Sequence, residues 1–334
     1  MKGEKIPMNP SSIRMSSILA VTFLLLVNAD FTQAQQFPEK PIRVIVPYSP
    51  GGSTDIAGRL VTQRLAEGLK QGVIVDNRGG AGGNIGGDIV AKSQPDGYTL
   101  LVGTVGGLTI NPSLYKDMPF DPLKDLTPVA YFGSTPNILV VHPSLPVKSV
   151  RELVALAKSR PGQLNYASAG TGGSVHLAAE LFKSLANVEM VHVPYKGSGP
   201  ALIGLLSGQT QLMFSTMPPA LPHVKSGKLR ALGMTGAKRS SLVPDLPTIA
   251  ESGLPGYEIT QWWGILAPAG TPREVVVKLN SEINNVLRSP DFVKLFAGLG
   301  ADAAPNTAEW FAAYMKSETE KWAKVVKVSG ATAN

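Results

Sequence analysis

The stretch Ile42-Arg43-Val44-Ile45-Val46-Pro47, continued by Tyr48-Ser49-Pro50-Gly51-Gly52-Ser53-Thr54-Asp55, places a strand, a glycine turn and a helix start in one short run. The first six residues are almost continuously apolar, as in a parallel strand buried on both faces. The glycine pair permits a tight turn. Beyond it Ile56, Leu60, Val61 and Leu65 recur at helical spacing, predicting a helix from about Asp55 to Lys70. Further out, Val73 to Asp76 reads as a second strand. Tyr98 to Gly103 reads as a third, after the turn Pro95-Asp96-Gly97. A β-α-β-α-β start predicts a parallel sheet with helices on its faces.

The pattern returns near the middle of the chain. Leu164 to Ser168 is a strand running into Ala169-Gly170-Thr171-Gly172-Gly173, with a helix from about Ser174 to Ala186. Ser149-Val150-Arg151-Glu152 has the spacing of a capping box and opens a helix to about Ser159. Val188 to Pro194 and Gln211 to Ser215 read as extended, and Pro200 to Leu206 as helical. Two strand–glycine loop–helix units imply two similar lobes. The last third differs. Thr271-Pro272-Arg273-Glu274 and Asn306-Thr307-Ala308-Glu309 each open a helix with no strand between, so this segment is expected to pack back on one lobe. Trp310, Tyr314 and Trp322 are expected to be packing residues there.

The composition agrees with an α/β protein. The chain has 334 residues, 43% hydrophobic and 16% charged, with 35 glycines and 27 prolines, enough for two lobes with many sharp turns. It has no cysteine, which excludes disulfides, thiolate nucleophiles and cysteine-based zinc sites. The net charge of +7 is spread out, with Lys225, Lys228 and Arg230, then Lys238 and Arg239, as the nearest thing to a cluster. That favours mild attraction of anions over nucleic-acid binding. At the N-terminus Lys2, Lys5 and Arg14 precede an apolar run from Ile18 to Val27, then Thr32-Gln33-Ala34. This is the order of a secretory signal, and cleavage is expected after Ala34. The run is about 10 residues, short of the ~20 that span a bilayer. A soluble exported protein is expected.

Catalytic motifs fail to match. His142, His176, His192 and His223 form no HExxH or other metal spacing. Tyr166-Ala167-Ser168-Ala169-Gly170 approaches the GxSxG elbow but lacks its first glycine, and His176 follows only eight residues after Ser168. A serine hydrolase using Ser168 is therefore the minor alternative. Gly79-Gly80-Ala81-Gly82-Gly83-Asn84-Ile85-Gly86-Gly87 does not satisfy GxGxxG, and no GxxxxGK[ST] exists, so no nucleotide cofactor is expected. The two glycine loops are better suited to an anion. A helix N-terminus offers unpaired N–H groups and partial positive charge, and neighbouring glycines let a ligand approach the main chain.

These and other ordered motifs resemble the Bug (TctC-type) substrate-binding proteins of tripartite tricarboxylate transporters. The resemblance runs through Pro41 to Pro47, Pro50-Gly51-Gly52 with Asp55, Asn77-Arg78 with Ala81-Gly82-Gly83, and Pro95-Asp96-Gly97-Tyr98-Thr99-Leu100. It continues through Asn111-Pro112, Pro161-Gly162, Tyr166 to Gly170 with His176-Leu177, and His192-Val193-Pro194-Tyr195-Lys196-Gly197. It ends with Ser226 to Arg230, Pro247-Thr248, Gly256-Tyr257 and Ala267-Pro268-Ala269-Gly270-Thr271-Pro272. The resemblance implies a type II-like two-lobed periplasmic-binding-protein fold, with mainly parallel sheets joined by two crossing strands near Asn137–His142 and Trp263–Pro268. Lobe 1 would comprise residues 37–138 and 265–334, and lobe 2 residues 139–264.

It also implies a monomeric, non-enzymatic periplasmic protein that captures a small carboxylate for a membrane permease, or senses it as an orphan receptor. The ligand-binding residues carried over are Tyr48, Ser49, Gly51, Gly52, Thr54 and Asp55 in the first lobe, with Thr104 at a strand end. Those of the second lobe are Ser168, Ala169, Gly170, Thr171 and Ser215. Asp55 is expected more as a first-turn charge than as an anion contact, because like charges repel. Three departures stand out: Ser49 where the family commonly has proline, Gly79 where Asn-Arg-Pro is usual, and Ser215 where many relatives have aspartate. The last argues against an amino-acid ligand.

Overall fold

The first glycine turn is flanked, as its sequence dictates, by a strand and a helix. A computed structural model describes residues 37–329 together with Gly3, Thr332 and Ala333. The expected leader, residues 1–34, and its cut after Ala34 lie outside the described residues, Gly3 apart. Strands β1 (Ile42–Val46), β2 (Val73–Asn77) and β3 (Thr99–Thr104) run parallel in the order β2-β1-β3. Helix Ser53–Leu69 buries Ala57, Val61 and Leu65.

Two long strands organise the rest. The chain continues through β4 (Leu126–Val141), β5 (Asn165–Ser168), β6 (Val191–Pro194), β7 (Leu212–Thr216), β8 (Arg230–Met234), β9 (Thr260–Pro268) and β10 (Asp302–Ala303). Antiparallel β9 lies between β3 and the first part of β4, Leu126 to Pro136, and β10 adds to β4. From Asn137 to Val141 the same strand β4 pairs instead with β7 and β8, and β7 carries β5 and β6 in parallel. The main chain therefore passes from one sheet to the other at Pro136/Asn137. The return passes near Ile259, whose N–H still bonds Thr235 O of the second sheet. Trp263–Pro268, expected to cross, instead pairs along its length within the first sheet, with β3 or β4. The fold is thus α/β with two lobes joined by crossing strands.

Each lobe has its own aromatic packing. In the second, Phe182, Phe214 and Tyr257 are buried with ring centroids 5.5–6.5 Å apart. In the first, helix Arg273–Arg288 and the final helix Ala308–Ser329 pack on β4, as the strand-free C-terminal pattern implied. Phe311 and Trp322 are buried, while Trp310 stays exposed and stacks on Tyr314 at 5.1 Å. The N-cap half of the box forms, with Ser149 Oγ accepting from Glu152 N, while the Glu152 side chain reaches one residue further back and accepts from Lys148 N. Helices Asn84–Ala91, Met217–Lys225 and Pro290–Gly298 were not legible locally, the first because its glycines read as loop. Among the described residues, no helix is long and apolar enough to cross a membrane.

Candidate functional site

Four helices begin around one cavity between the lobes. They are Ser53–Leu69, Gly173–Ala186, Ser198–Leu206 and Met217–Lys225, with N-cap residues Gly52, Gly172, Gly197 and Thr216. None of the four has a side-chain cap, so the first-turn N–H groups they possess are left for another acceptor; Pro200 removes one from the third helix, and Pro218 and Pro219 remove two from the fourth. The cavity, about 400 Å³ with open solvent at its mouth included, is lined by Gly52, Ser53, Thr54 and Thr104 from the first lobe. Gly172, Gly173, Ser174, Ser198 and Thr216 line it from the second, with Tyr48, Ala169, Val175 and Gln261 completing the wall. Among the described residues, no charged side chain lines it. Several hydroxyls do, and the positive ends of four helices meet there, so the electrostatics favour an anion held by neutral donors.

A second chamber of about 690 Å³ adjoins the first through the shared residues Tyr48 and Ala169. Gly80 to Gly83, Tyr115, Gly170, Thr171, Pro194, Tyr195 and Lys196 complete it, and Lys196 is the one charged residue in its lining. Tyr48 is fixed between the chambers: its hydroxyl donates to Gly82 O at 3.1 Å and lies 3.1 Å from Thr104 Oγ1. Burial pushes the Tyr48 phenol up, the bond to Thr104 offsetting part of this, so it stays neutral.

Of the twelve residues singled out in sequence, the cavity collects Tyr48, Gly52, Thr54, Thr104 and Ala169, and the adjoining chamber Gly170 and Thr171. Ser49, Gly51, Asp55, Ser168 and Ser215 line neither. The Asp55 carboxylate is consumed within its own lobe. It accepts from Gly51 N at 3.0 Å, Asn77 Nδ2 at 2.9 Å and Arg59 Nε at 2.9 Å, fixing the loop ahead of the first helix. Burial works to raise this carboxyl, but the bonds from Arg59, Gly51 and Asn77 outweigh it and hold it below its ordinary value. Ser215 is displaced by one residue of strand alternation: successive side chains face opposite sides, and it is Thr216 that faces the cavity. Ser53, Gly172, Gly173 and Ser174, part of the two glycine loops read as anion cradles though not among the twelve, also line the cavity, whereas Ser198, Thr216 and Gln261 were missed. Helix starts at Ser53 and Ser174 gave a local signal; Ser198, Thr216 and Gln261 arrive from distant elements.

Ser168 has a structural task. It is fully buried, its Oγ lies 2.9 Å from Gly170 O, accepts from Gly170 N, and lies 2.6 Å from His192 Nε2. His192 stacks on His176 at 4.2 Å, and His176 Nδ1 accepts from Gly172 N. Burial brings His176 down to about 4. Burial, with His176 beside it, brings His192 down to about 3, so both rings are neutral at pH 7. The pair therefore props the second glycine loop from behind. A nucleophile at Ser168 would have no exposed surface from which to attack.

The lobes meet in a seam of close main-chain contacts. Ser49 N and Ser49 Oγ both donate to Lys196 O, and Tyr115 Oη donates to Thr171 O at 2.8 Å. Gly106 lies so close to Gly173 that a β-carbon on Gly106 would fall 2.8 Å from Gly173 N. In this structure the lobes are in contact along the seam.

Comparison with known proteins gives one consistent match. The family model for the tripartite tricarboxylate transporter family receptor, TctC, matches residues 57–331. Protein BugT of Bordetella pertussis is 39% identical over 323 residues, covering 96% of this chain and 99% of that protein. The R. palustris protein Rpa4515, solved with adipate, superposes with a TM-score of 0.87 at 39% identity, over 89% of this chain and 99% of that one. MatC of Rhodopseudomonas palustris, solved with bound malate, superposes with a TM-score of 0.84 at 34% identity, over 87% and 100%.

Proposed function

Because the chain belongs to the TctC family of periplasmic solute-binding receptors, which are not enzymes, we propose that it captures a small carboxylate between its lobes. Delivery to a tripartite tricarboxylate-type permease is part of the same proposal. The observation that carries it is the convergence of four uncapped helix N-termini on a cavity without a charged side chain. A carboxylate there accepts from main-chain N–H groups and hydroxyls, and needs no arginine. The relatives solved with adipate and malate are consistent with this ligand class. No acidic side chain lines either chamber to hold an ammonium, which supports acids over amino acids.

We further propose that residues 37–136 with those from 260 onward form one lobe, and residues 137–259 the other. These limits lie a few residues from those read in sequence, and the exchange of strand partners along β4 supports them. Export with cleavage after Ala34 and a monomeric state belong to the same reading. Closure on the ligand would present the permease with a surface that the open form lacks.

The test is a thermal-shift screen of the mature protein against mono-, di- and tricarboxylates, aromatic acids and amino acids. A ligand at 100 times its dissociation constant stabilises by about 2.7 kcal/mol. At least one acid is expected to give such a shift and amino acids none. No shift with any acid refutes the proposal, and tight glutamate or aspartate binding refutes the ligand class.

A further inference from the structure

Two polar side chains beside the cavity are left without partners where burial makes that costly. Thr216 is 1% exposed, lines the cavity, and its Oγ1 has no hydrogen-bond partner among the described residues. Asn137 is 0% exposed, and neither its Oδ1 nor its Nδ2 has one. The two stand directly opposite in the antiparallel pairing of β4 with β7. Directly opposed residues carry their side chains on the same face, so both belong to the floor from which Thr216 faces the cavity.

Neither group is taken up locally. Threonine at a helix N-cap ordinarily accepts from the N–H of the second or third helix residue. Ahead of helix Met217–Lys225 those residues are Pro218 and Pro219, which have no N–H, so the Thr216 hydroxyl has no cap bond to make. Asn137 sits where β4 passes between the lobes, and its main chain is fully engaged with Thr235: N donates to Thr235 Oγ1, and O accepts from Thr235 N and Oγ1. Its main chain is thus fixed next to Thr216, and both functions of its amide are unused. Buried polar groups in native structures are almost always paired, so an unpaired donor–acceptor set beside a ligand cavity points to the ligand.

We infer that Asn137 and Thr216 form a second recognition point, which selects carboxylates carrying a hydroxyl group on the carbon chain. The inference rests on the carboxylate reading above and names the ligand subclass. A carboxylate on this floor would satisfy Asn137 Nδ2 and the Thr216 hydroxyl but leave Asn137 Oδ1 buried against negative charge. An ammonium would satisfy Oδ1 and leave Nδ2 unpaired. A hydroxyl both donates and accepts, so it can donate to Oδ1 while accepting from the Thr216 hydroxyl or Nδ2, which neither a carboxylate nor an ammonium does. The helix N-termini take the carboxylate, and the floor takes the hydroxyl.

The test compares matched pairs by titration calorimetry on the mature protein: malate against succinate, and citrate against tricarballylate. In at least one pair the hydroxy acid is expected to bind at least ten times more tightly. Thr216→Val keeps the shape, removes no helix cap, and is expected to bring that ratio toward one; Asn137→Leu is the second variant. If both members of every pair that binds do so equally, the floor holds an ordered water and the inference falls while the carboxylate reading stands. A ratio unchanged in both variants also overturns it. If none of the four acids binds, the inference falls, and the broad acid screen then decides whether the carboxylate reading falls with it.

Discussion

Replacing Gly106 by alanine is expected to hold the lobes apart without unfolding either. Gly106 belongs to the first lobe, and its φ lies outside the left-handed region, so an L-residue fits its backbone. The obstacle is across the seam. A β-carbon would press on Gly173 Cα and lie 2.8 Å from Gly173 N, against ordinary contacts of 3.4–4 Å. Both atoms are main chain at the start of helix Gly173–Ala186, so they cannot rotate away, and the seam must open by about an ångström to restore an ordinary contact with Gly173 Cα. Overpacking of this kind costs about 1–3 kcal/mol. Here the cost falls on the closed state alone, so apparent affinity drops with the closed population, by roughly 5- to 150-fold. The assay is calorimetric titration with the acid found in the screen, beside thermal unfolding of the ligand-free variant, whose midpoint should move little. Small-angle scattering should show a larger radius of gyration with ligand. Gly298→Ala is the control, since a β-carbon there meets nothing. Binding by Gly106→Ala within twofold of the parent refutes closure along this seam.

Three further outcomes follow from the same geometry. Ser49→Ala removes one of two donors to Lys196 O and is expected to weaken binding about 2- to 12-fold, and Ser49→Pro, which removes both, by more; equal affinities in the three proteins argue against the latch. Asp55→Ala frees Gly51 N and Asn77 Nδ2 and is expected to lower both ligand affinity and melting temperature; a loss confined to melting temperature would separate the loop from the site. For pH, the folded values of His176 and His192 lie below the ordinary 6.5, so below pH 6.5 the unfolded chain takes up protons that the folded chain does not. Stability is therefore full above about pH 6.5 and falls as the pH drops toward about 4. Urea unfolding at pH 7, 5.5 and 4.5 measures this, and replacing both histidines by glutamine should flatten the slope; a parent slope of zero refutes it.

Short-range pattern carried much of the fold. The apolar run at Ile42 to Pro47, the capping box at Ser149 and the helical stripe of Ile56, Leu60, Val61 and Leu65 each write their structure into neighbouring residues. The glycine turns were equally plain, and with them the loops that supply Gly52, Thr54, Ala169 and Thr171 to the two chambers. The resemblance of ordered motifs then supplied the two-lobed architecture, which periodicity alone did not reach.

Only the tertiary structure could decide which side chains face the ligand. Ser215 and Thr216 are adjacent and chemically alike, but strand alternation sends them to opposite faces, and the pairing of β7 with β4 sets which face meets the cavity. Asp55, read as a first-turn charge, finds its partners Arg59 on its own helix and Asn77 from β2, and the latter only the fold brings to it. Ser198 and Gln261 reach the site from elements far from either glycine loop. The sequence by itself placed several helix starts to within a few residues, though not that of Met217–Lys225, because a helix start depends on a handful of neighbouring residues. That four of those starts point into one cavity depends on how two sheets share strand β4, and this is fixed by long-range packing that no local window contains.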